Sequence, residues 1–185
     1  MNMIDESDLQ RLARLLRKRN ENEVEITRVI GRPAQLGHIG EYIASRIFYV
    51  ELGQLAVQAG IDGHFKSGPL AGQSVNIKMY SKREGKLDVR PEYLPDYYLV
   101  LTGPKSAARN SKGSARPWGI NEVFLFEAKP LIERLRQRSV KLGVATSVRQ
   151  EEWNSARIYP HSPNSPLVLT DAQQDGIRHF ELSCR

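Results

Sequence analysis

Two short segments, Ile61-Asp62-Gly63 and, thirteen residues after that glycine, Asn76-Ile77-Lys78, constrain this chain more than any other feature. Apolar and polar residues alternate through the second, and the turn formers Gly68-Pro69 and Ala71-Gly72 lie between them. The pattern predicts a hairpin with strands over Ile61 to Phe65 and Ser74 to Tyr80. Side chains alternate across a strand, so Val75, Ile77 and Met79 face a core while Asn76 and Lys78 share the opposite side. Asp62, at the tip of the preceding apolar pair, is placed to join them. A carboxylate, an amide oxygen and an ammonium gathered together suit metal-assisted attack of water on a phosphodiester.

The rest of the chain supplies alternating helices and strands. Ser7-Asp8-Leu9-Gln10 has the form of a capping box, which predicts a helix to about Asn20 with Leu9, Leu12, Leu15 and Leu16 as its apolar stripe. Gly31-Arg32-Pro33 is a break. A long helix fits Leu36 to about Ala59, with one stripe at Ile39, Ile43, Ile47 and Val50 and a second at Phe48, Leu52, Leu55 and Ala59. Glu41 shares the second face and is expected to point inward from the first turn, where the helix dipole favours an acid. Asp96 to Leu101 reads as a central strand, Val123 to Phe126 and Val140 to Ala145 as further strands, and Pro130 as the start of a helix reaching Arg138. Ser147 to Gln150 and Thr170 to Gln173 read as two more capping boxes, with a Pro/Ser linker from His161 to Pro166 between the helices they open. The fold class is α/β, a mixed sheet flanked by helices on both faces.

Charge narrows the partners. The chain carries a formal +6, yet residues 101 to 150 alone hold ten Lys or Arg against three Glu. Such concentration suits a polyanion, because Lys and Arg contacts to phosphates release condensed counterions; a solvated face accounts for it equally well. No apolar run approaches the roughly 18 residues of a membrane span, so no membrane partner is expected. The polar, acidic start lacks the form of a secretory signal, and a single Cys184 has no internal partner. A cytoplasmic protein is expected.

The order of parts is a helix with Glu41, a hairpin with Asp62, a strand with Asn76-x-Lys78, then a strand opening Asp96-Tyr-Tyr. From about Gln35 to Leu101 this resembles the core of the PD-(D/E)xK, or restriction-endonuclease-like, superfamily. The amide ahead of the lysine is similar to its Mrr-like branch. Phrases such as Gly37-His-Ile-Gly-Glu41 and Gly143-Val-Ala-Thr-Ser147 also resemble a prokaryotic family of unknown function. The first resemblance implies a nuclease acting on DNA more readily than RNA, in defence or repair, with Mg²⁺ or Mn²⁺ held by Glu41, Asp62 and Asn76. It makes Lys78 the residue that orients the attacking water. Asn76 departs from the usual Glu, and an amide oxygen ligates Mg²⁺ without contributing charge. Lys105, Arg109, Lys112 and Arg116 of the long basic loop would grip flanking phosphates, with Lys82 and Arg83 extending the track. The organisation implied is a helical appendage over 1–30, a nuclease-like core over 31–160, and a linker and helix over 161–185 packed on that core. A homodimer is expected by analogy with relatives of the fold. Two other readings remain: an inactive nucleic-acid-binding module with the same fold, and a structural or protein-interaction domain.

Other residues invite chemistry with less support. His38 and His64 flank the acids without a metal-ligand spacing. Asp96 is expected to hydrogen-bond the hairpin in a structural role. Ser45 and Ser147 lack the surroundings of a nucleophile.

Overall fold

The computed structural model describes residues 6–53, 60–105, 117–161 and 166–182. The chain divides into two compact units, Met1–Ile39 and Gly40–Arg185. Most of the first is one helix, α1, Glu6–Ile30. It runs ten residues beyond the predicted end at Asn20, and Ser7 lies inside it rather than capping it. The polar stretch after Arg19 stays helical because Arg19 pairs with Glu23 one turn on, at 3.0 Å. Gly31, at φ +71°, then ends it by returning its N–H to Thr27 O.

The second unit is built on a six-stranded sheet. In chain order its strands are β1 (Val50–Leu52), β2 (Gly63–Phe65), β3 (Ser74–Tyr80), β5 (Tyr97–Thr102), β6 (Glu122–Glu127) and β8 (Arg157–Tyr159). They also lie side by side in that order, with β3 and β5 parallel and the other pairs antiparallel. A separate two-stranded ladder joins β4 (Lys86–Leu87) to β7 (Thr146–Ser147). The helices are α2 (Leu36–Ile47), whose first residues belong to the first unit, then α3 (Ala128–Gln137), α4 (Gln150–Ala156) and α5 (Asp171–Arg178). The architecture is α/β with a mixed sheet flanked by helices. Among the described residues no helix is long and apolar enough to cross a membrane.

Ladder register sorts the side chains onto two faces, because directly paired residues point the same way. Val75, Ile77 and Met79 share one with Leu99, Leu101, Val123 and Leu125. Helix α2 covers that face so closely that a Cβ on Gly40 would stand 2.7 Å from Met79 Cβ. Asn76, Lys78 and Tyr80 share the other with Tyr98, Val100, Phe124 and Phe126. There Leu131, Ile132 and Leu135 of α3 and Trp153 of α4 close the main core. Trp153 sets its ring edge-on to Phe124 and Phe126, at 4.7 and 5.0 Å between centroids. Helix α5 anchors to the end of α2 through Gln173 Nε2, which donates to Ile47 O at 2.9 Å.

Four sequence expectations change here. The helix expected from Leu36 to Ala59 stops at Ile47, and Tyr49 turns the chain at φ +54°. Val50 to Leu52 leaves the helix to pair with Phe65 to Gly63, since a ladder against an open edge outcompetes the continuing apolar spacing. Leu55 and Ala59 of the second stripe lie outside the described residues. Glu41, the sixth residue of α2, sits beyond its first turn. The strand expected over Val140 to Ala145 is instead a turn, with Gly143 at φ +145° and Ala145 at φ +57°. The Thr146 hydroxyl closes it, donating to Gly143 O at 2.8 Å and accepting from Gly143 N at 2.9 Å. The capping box expected at Ser147 does not form; α4 starts two residues later, after Arg149, whose backbone N–H donates to Glu152 Oε2 at 3.2 Å. The Thr170 cap of α5 is where the sequence puts it.

Candidate active site

The hairpin is β2 and β3, and it presents the expected residues as follows. The Asp62 N–H donates to Val75 O at 2.9 Å, and Asp62 Oδ2 accepts from the Ile77 N–H at 2.6 Å. Its carboxylate therefore lies against the peptide between Asn76 and Lys78. A bond to an ionised acceptor is stronger than a neutral one, so the contact fixes the carboxylate as well as the strand. Asn76 and Lys78, two apart on β3, point to one face together, as alternation predicts. Glu41 rises from α2, the helix that covers the opposite face.

Asn76 is 5% exposed, and its Oδ1 has no hydrogen-bond partner. Leaving a buried polar atom unmatched costs about 1–3 kcal/mol. The atom belongs beside a small cavity of about 10 Å³, lined by Asn76 and Lys78 of β3, Tyr98 of β5, and Asp88 and Arg90 of the segment that follows β4. That is roughly the space one water needs. Gly60, at φ +85°, closes one side. A Cβ there would lie 2.3 Å from Tyr93 O, so only glycine lets the two segments meet.

Sequence reasoning misses Asp88, Arg90 and Tyr98. Tyr98 stands beside Asn76 in the parallel ladder, and its hydroxyl is also buried without a partner. Burial pushes its pKa up, and the neighbouring Arg90 backbone lowers it by less. Tyr80, two residues beyond Lys78, donates to Asp88 Oδ2 at 3.3 Å and accepts from the Asp88 N–H at 3.0 Å. Burial holds that phenol far above its ordinary pKa, and the Asp88 carboxylate adds to the shift. Asp88 Oδ1 accepts from the Ala145 N–H at 2.7 Å, which ties this wall to the 143–146 turn. An acid between Leu87 and Val89 is the one available signal, and it is a faint one.

Among the described residues no group of three or more His, Cys, Asp or Glu side chains is placed to hold a metal ion. The expected set holds two carboxylates and an amide, so Asn76 must supply its third oxygen. The donor chemistry fits Mg²⁺ or Mn²⁺, which favour hard oxygen ligands. The unpartnered buried amide oxygen of Asn76 is a donor of that kind.

The basic track is only partly as expected. Lys105 is exposed. Arg109, Lys112 and Arg116 lie outside the described residues. Lys82 is largely covered and pairs with Glu84. Arg83 departs furthest from expectation, because it belongs to the core and not to a phosphate-facing surface. Only 6% exposed, it forks onto Glu122 (Nε to Oε2 2.7 Å, Nη2 to Oε1 3.3 Å) and donates to Gln150 Oε1 at 3.1 Å. Its guanidinium also faces the rings of Phe124 and Trp153. Asp96 takes the structural role expected of it. Its Oδ2 accepts from Ser74 N and Oγ at 2.7 and 2.6 Å, which sets the register of β3 on β5. His38 Nδ1 lies 2.9 Å from Pro33 O.

No family model matches the chain, and no curated protein matches it.

Proposed function

We propose that this chain is a metal-dependent phosphodiesterase that cuts DNA, with the restriction-endonuclease-like arrangement its sequence resembles. One observation carries the reading: Asp62 lies on the peptide between Asn76 and Lys78, whose side chains leave β3 on one face, and the Asn76 oxygen is buried without a partner. Asp62 and Asn76 would hold Mg²⁺ or Mn²⁺, and Glu41, on the helix over the face opposite Asn76 and Lys78, is left out of the set. The ion, when bound, supplies Lewis-acid polarisation of the phosphoryl group and a more acidic water. Lys78 orients the attacking water by hydrogen bonding and steadies negative charge as it develops on the phosphoryl oxygens. Exposed Lys105 contacts a flanking phosphate, a contact that positions the strand without reading its sequence. The cytoplasm, where DNA is accessible, is the compartment this reading calls for.

The test is cleavage of single- and double-stranded DNA with Mg²⁺ or Mn²⁺, beside EDTA and Lys78→Ala purified identically. Metal-dependent cutting that Lys78→Ala lacks, at nearly unchanged DNA affinity, is the expected result. Salt-dependent binding with no cutting on any substrate would replace this reading with an inactive binding module. Absence of both would leave a structural domain.

A further inference from the structure

We infer that α1 is a self-association element, pairing antiparallel with α1 of a second copy of this chain. The inference is independent of the proposed activity and starts from an apolar row exposed at its first end, Leu9 to Leu16, and half-buried at Ile26 and Ile30. Leu9, Leu12, Leu15, Leu16 and Val29 are each 46–65% exposed. A helix of 25 residues, about 37 Å long, rarely leaves such a row to water without a partner.

The spacing specifies what kind of partner fits. With Leu9 taken as position a of a heptad, the other a positions are Leu16, Glu23 and Ile30. The d positions are Leu12, Arg19 and Ile26. This is an apolar seam of the coiled-coil type, interrupted once, at its centre, by two opposite charges. Leu15 and Val29 fall at flanking g positions and widen the seam. Most outward positions, including Arg11, Arg14, Lys18, Glu21 and Glu25, are charged.

The central charges choose the orientation. In a parallel pair Arg19 would meet Arg19, and Glu23 would meet Glu23. In an antiparallel pair whose two-fold axis passes beside residue 21, Arg19 meets the partner's Glu23. The same axis sets Leu16 against the partner's Ile26 and Leu12 against the partner's Ile30, so every apolar seam residue from 12 to 30 finds an apolar mate. Larger-scale charge agrees. Up to Asn20 the helix carries five Lys or Arg (Arg11, Arg14, Arg17, Lys18, Arg19) against Glu6 and Asp8, and beyond it Glu21, Glu23 and Glu25 against Arg28. Antiparallel pairing brings basic half to acidic half twice over. Self-complementarity of this sort is what a two-fold interface requires, and it is why the occupant is a second copy. Arg19 and Glu23 already pair within one helix at 3.0 Å while remaining 70% and 41% exposed. The dimer would complete them into a box of four alternating charges.

The full chain is tested by sedimentation equilibrium and by crosslinking. Wild type is expected to be a dimer, and Leu12→Glu with Leu16→Glu is expected to raise its dissociation constant by about 100-fold or more. Arg19→Glu alone should weaken the dimer, and adding Glu23→Arg should restore it. Orientation is read in a Cys184→Ser background. A short bismaleimide should join Leu16→Cys chains to tagged Ile26→Cys chains, and should not join Leu16→Cys chains to each other. A wild-type chain that stays monomeric at high concentration overturns the inference. So does a dimer that the double Glu variant leaves intact, or one that crosslinks Leu16→Cys to itself.

Discussion

Asp62 Oδ2 accepts a 2.6 Å hydrogen bond from the backbone N–H of Ile77, fifteen residues away. The bond crosses from the residue before β2 to the middle of β3 and lands on the N–H of the residue that separates Asn76 from Lys78. A mutation at Asp62 therefore disturbs both hairpin geometry and local charge, and the two effects have to be separated. Asparagine separates them, because its amide oxygen can still accept from Ile77. Asp62→Ala is expected to lose about 1.5–3 kcal/mol of stability, the range for a hydrogen bond to a charged group. Asp62→Asn should lose less than half of that in urea unfolding, yet abolish metal-dependent cleavage. A folded Asp62→Asn protein that cuts at the wild-type rate would restrict Asp62 to a structural role.

Arg83 makes a contrary prediction to the one its sequence context invites. It lies in a polar loop beside Lys82, yet it is buried, forked onto Glu122 and held between aromatic rings. Removing one member of a buried ion pair strands the other, typically at about 3–5 kcal/mol. Arg157 stands 3.7 Å from Glu122 and can take part of that charge, so Arg83→Ala is expected near the lower end of that range. Arg83→Met with Glu122→Leu removes both charges and should be less destabilising than Arg83→Ala. Lys105→Ala, at an exposed site, should stay within about 0.5 kcal/mol of wild type. Chemical denaturation of the three variants checks the order, and an Arg83→Ala protein as stable as Lys105→Ala would refute it.

These cases also show which features are legible in the sequence. The hairpin and β5 can be read because strand signals are local: alternation about Ile77, dense β-formers from Tyr97 to Leu101, and turn residues between. The Thr170 cap is local as well. The rest depends on contacts between distant segments. Nothing near Ile47 announces that Val50 will pair with Phe65, so the helical spacing reads on to Ala59. Arg83 is buried because Glu122, thirty-nine residues later, is there to meet it. The candidate site divides in the same way. Asn76 and Lys78 share a face by the arithmetic of one strand. Tyr98 joins them through a parallel register that no short stretch encodes, and Asp88 through a turn closed by Thr146.

Tyr80 makes stability depend on alkaline pH. Its phenol is held neutral by burial and by the adjoining Asp88 carboxylate, so its folded pKa lies far above the unfolded value near 10. The unfolded chain then gives up this proton first. The contribution is fully present below pH 10 and is lost progressively as pH rises beyond it. Tyr80→Phe removes the titration. It is expected to cost about 1 kcal/mol at pH 7 through the lost hydrogen bonds to Asp88, while its stability falls less steeply above pH 10. Urea unfolding from pH 7 to 11 measures both. Parallel curves for the two proteins would mean that Tyr80 does not couple to folding in this way.

Two glycines of α2 test how tightly that helix lies on the sheet. Glycine inside a helix costs up to about 1 kcal/mol relative to alanine, so Gly→Ala stabilises wherever there is room. A methyl group added at Gly37 would meet nothing within 4 Å, whereas at Gly40 the same carbon would stand 2.7 Å from Met79 Cβ. That neighbour is bound directly to the backbone of β3 and cannot swing aside as a side-chain end could. Gly37→Ala is therefore expected to raise stability by up to about 1 kcal/mol. Gly40→Ala should lower it by about 1–3 kcal/mol, the usual cost of overpacking. Opposite signs in thermal or urea unfolding are the expected result. Stabilisation by both would show that α2 can lift away from Met79, and the face opposite Asn76 and Lys78 would then be less rigid than this packing requires.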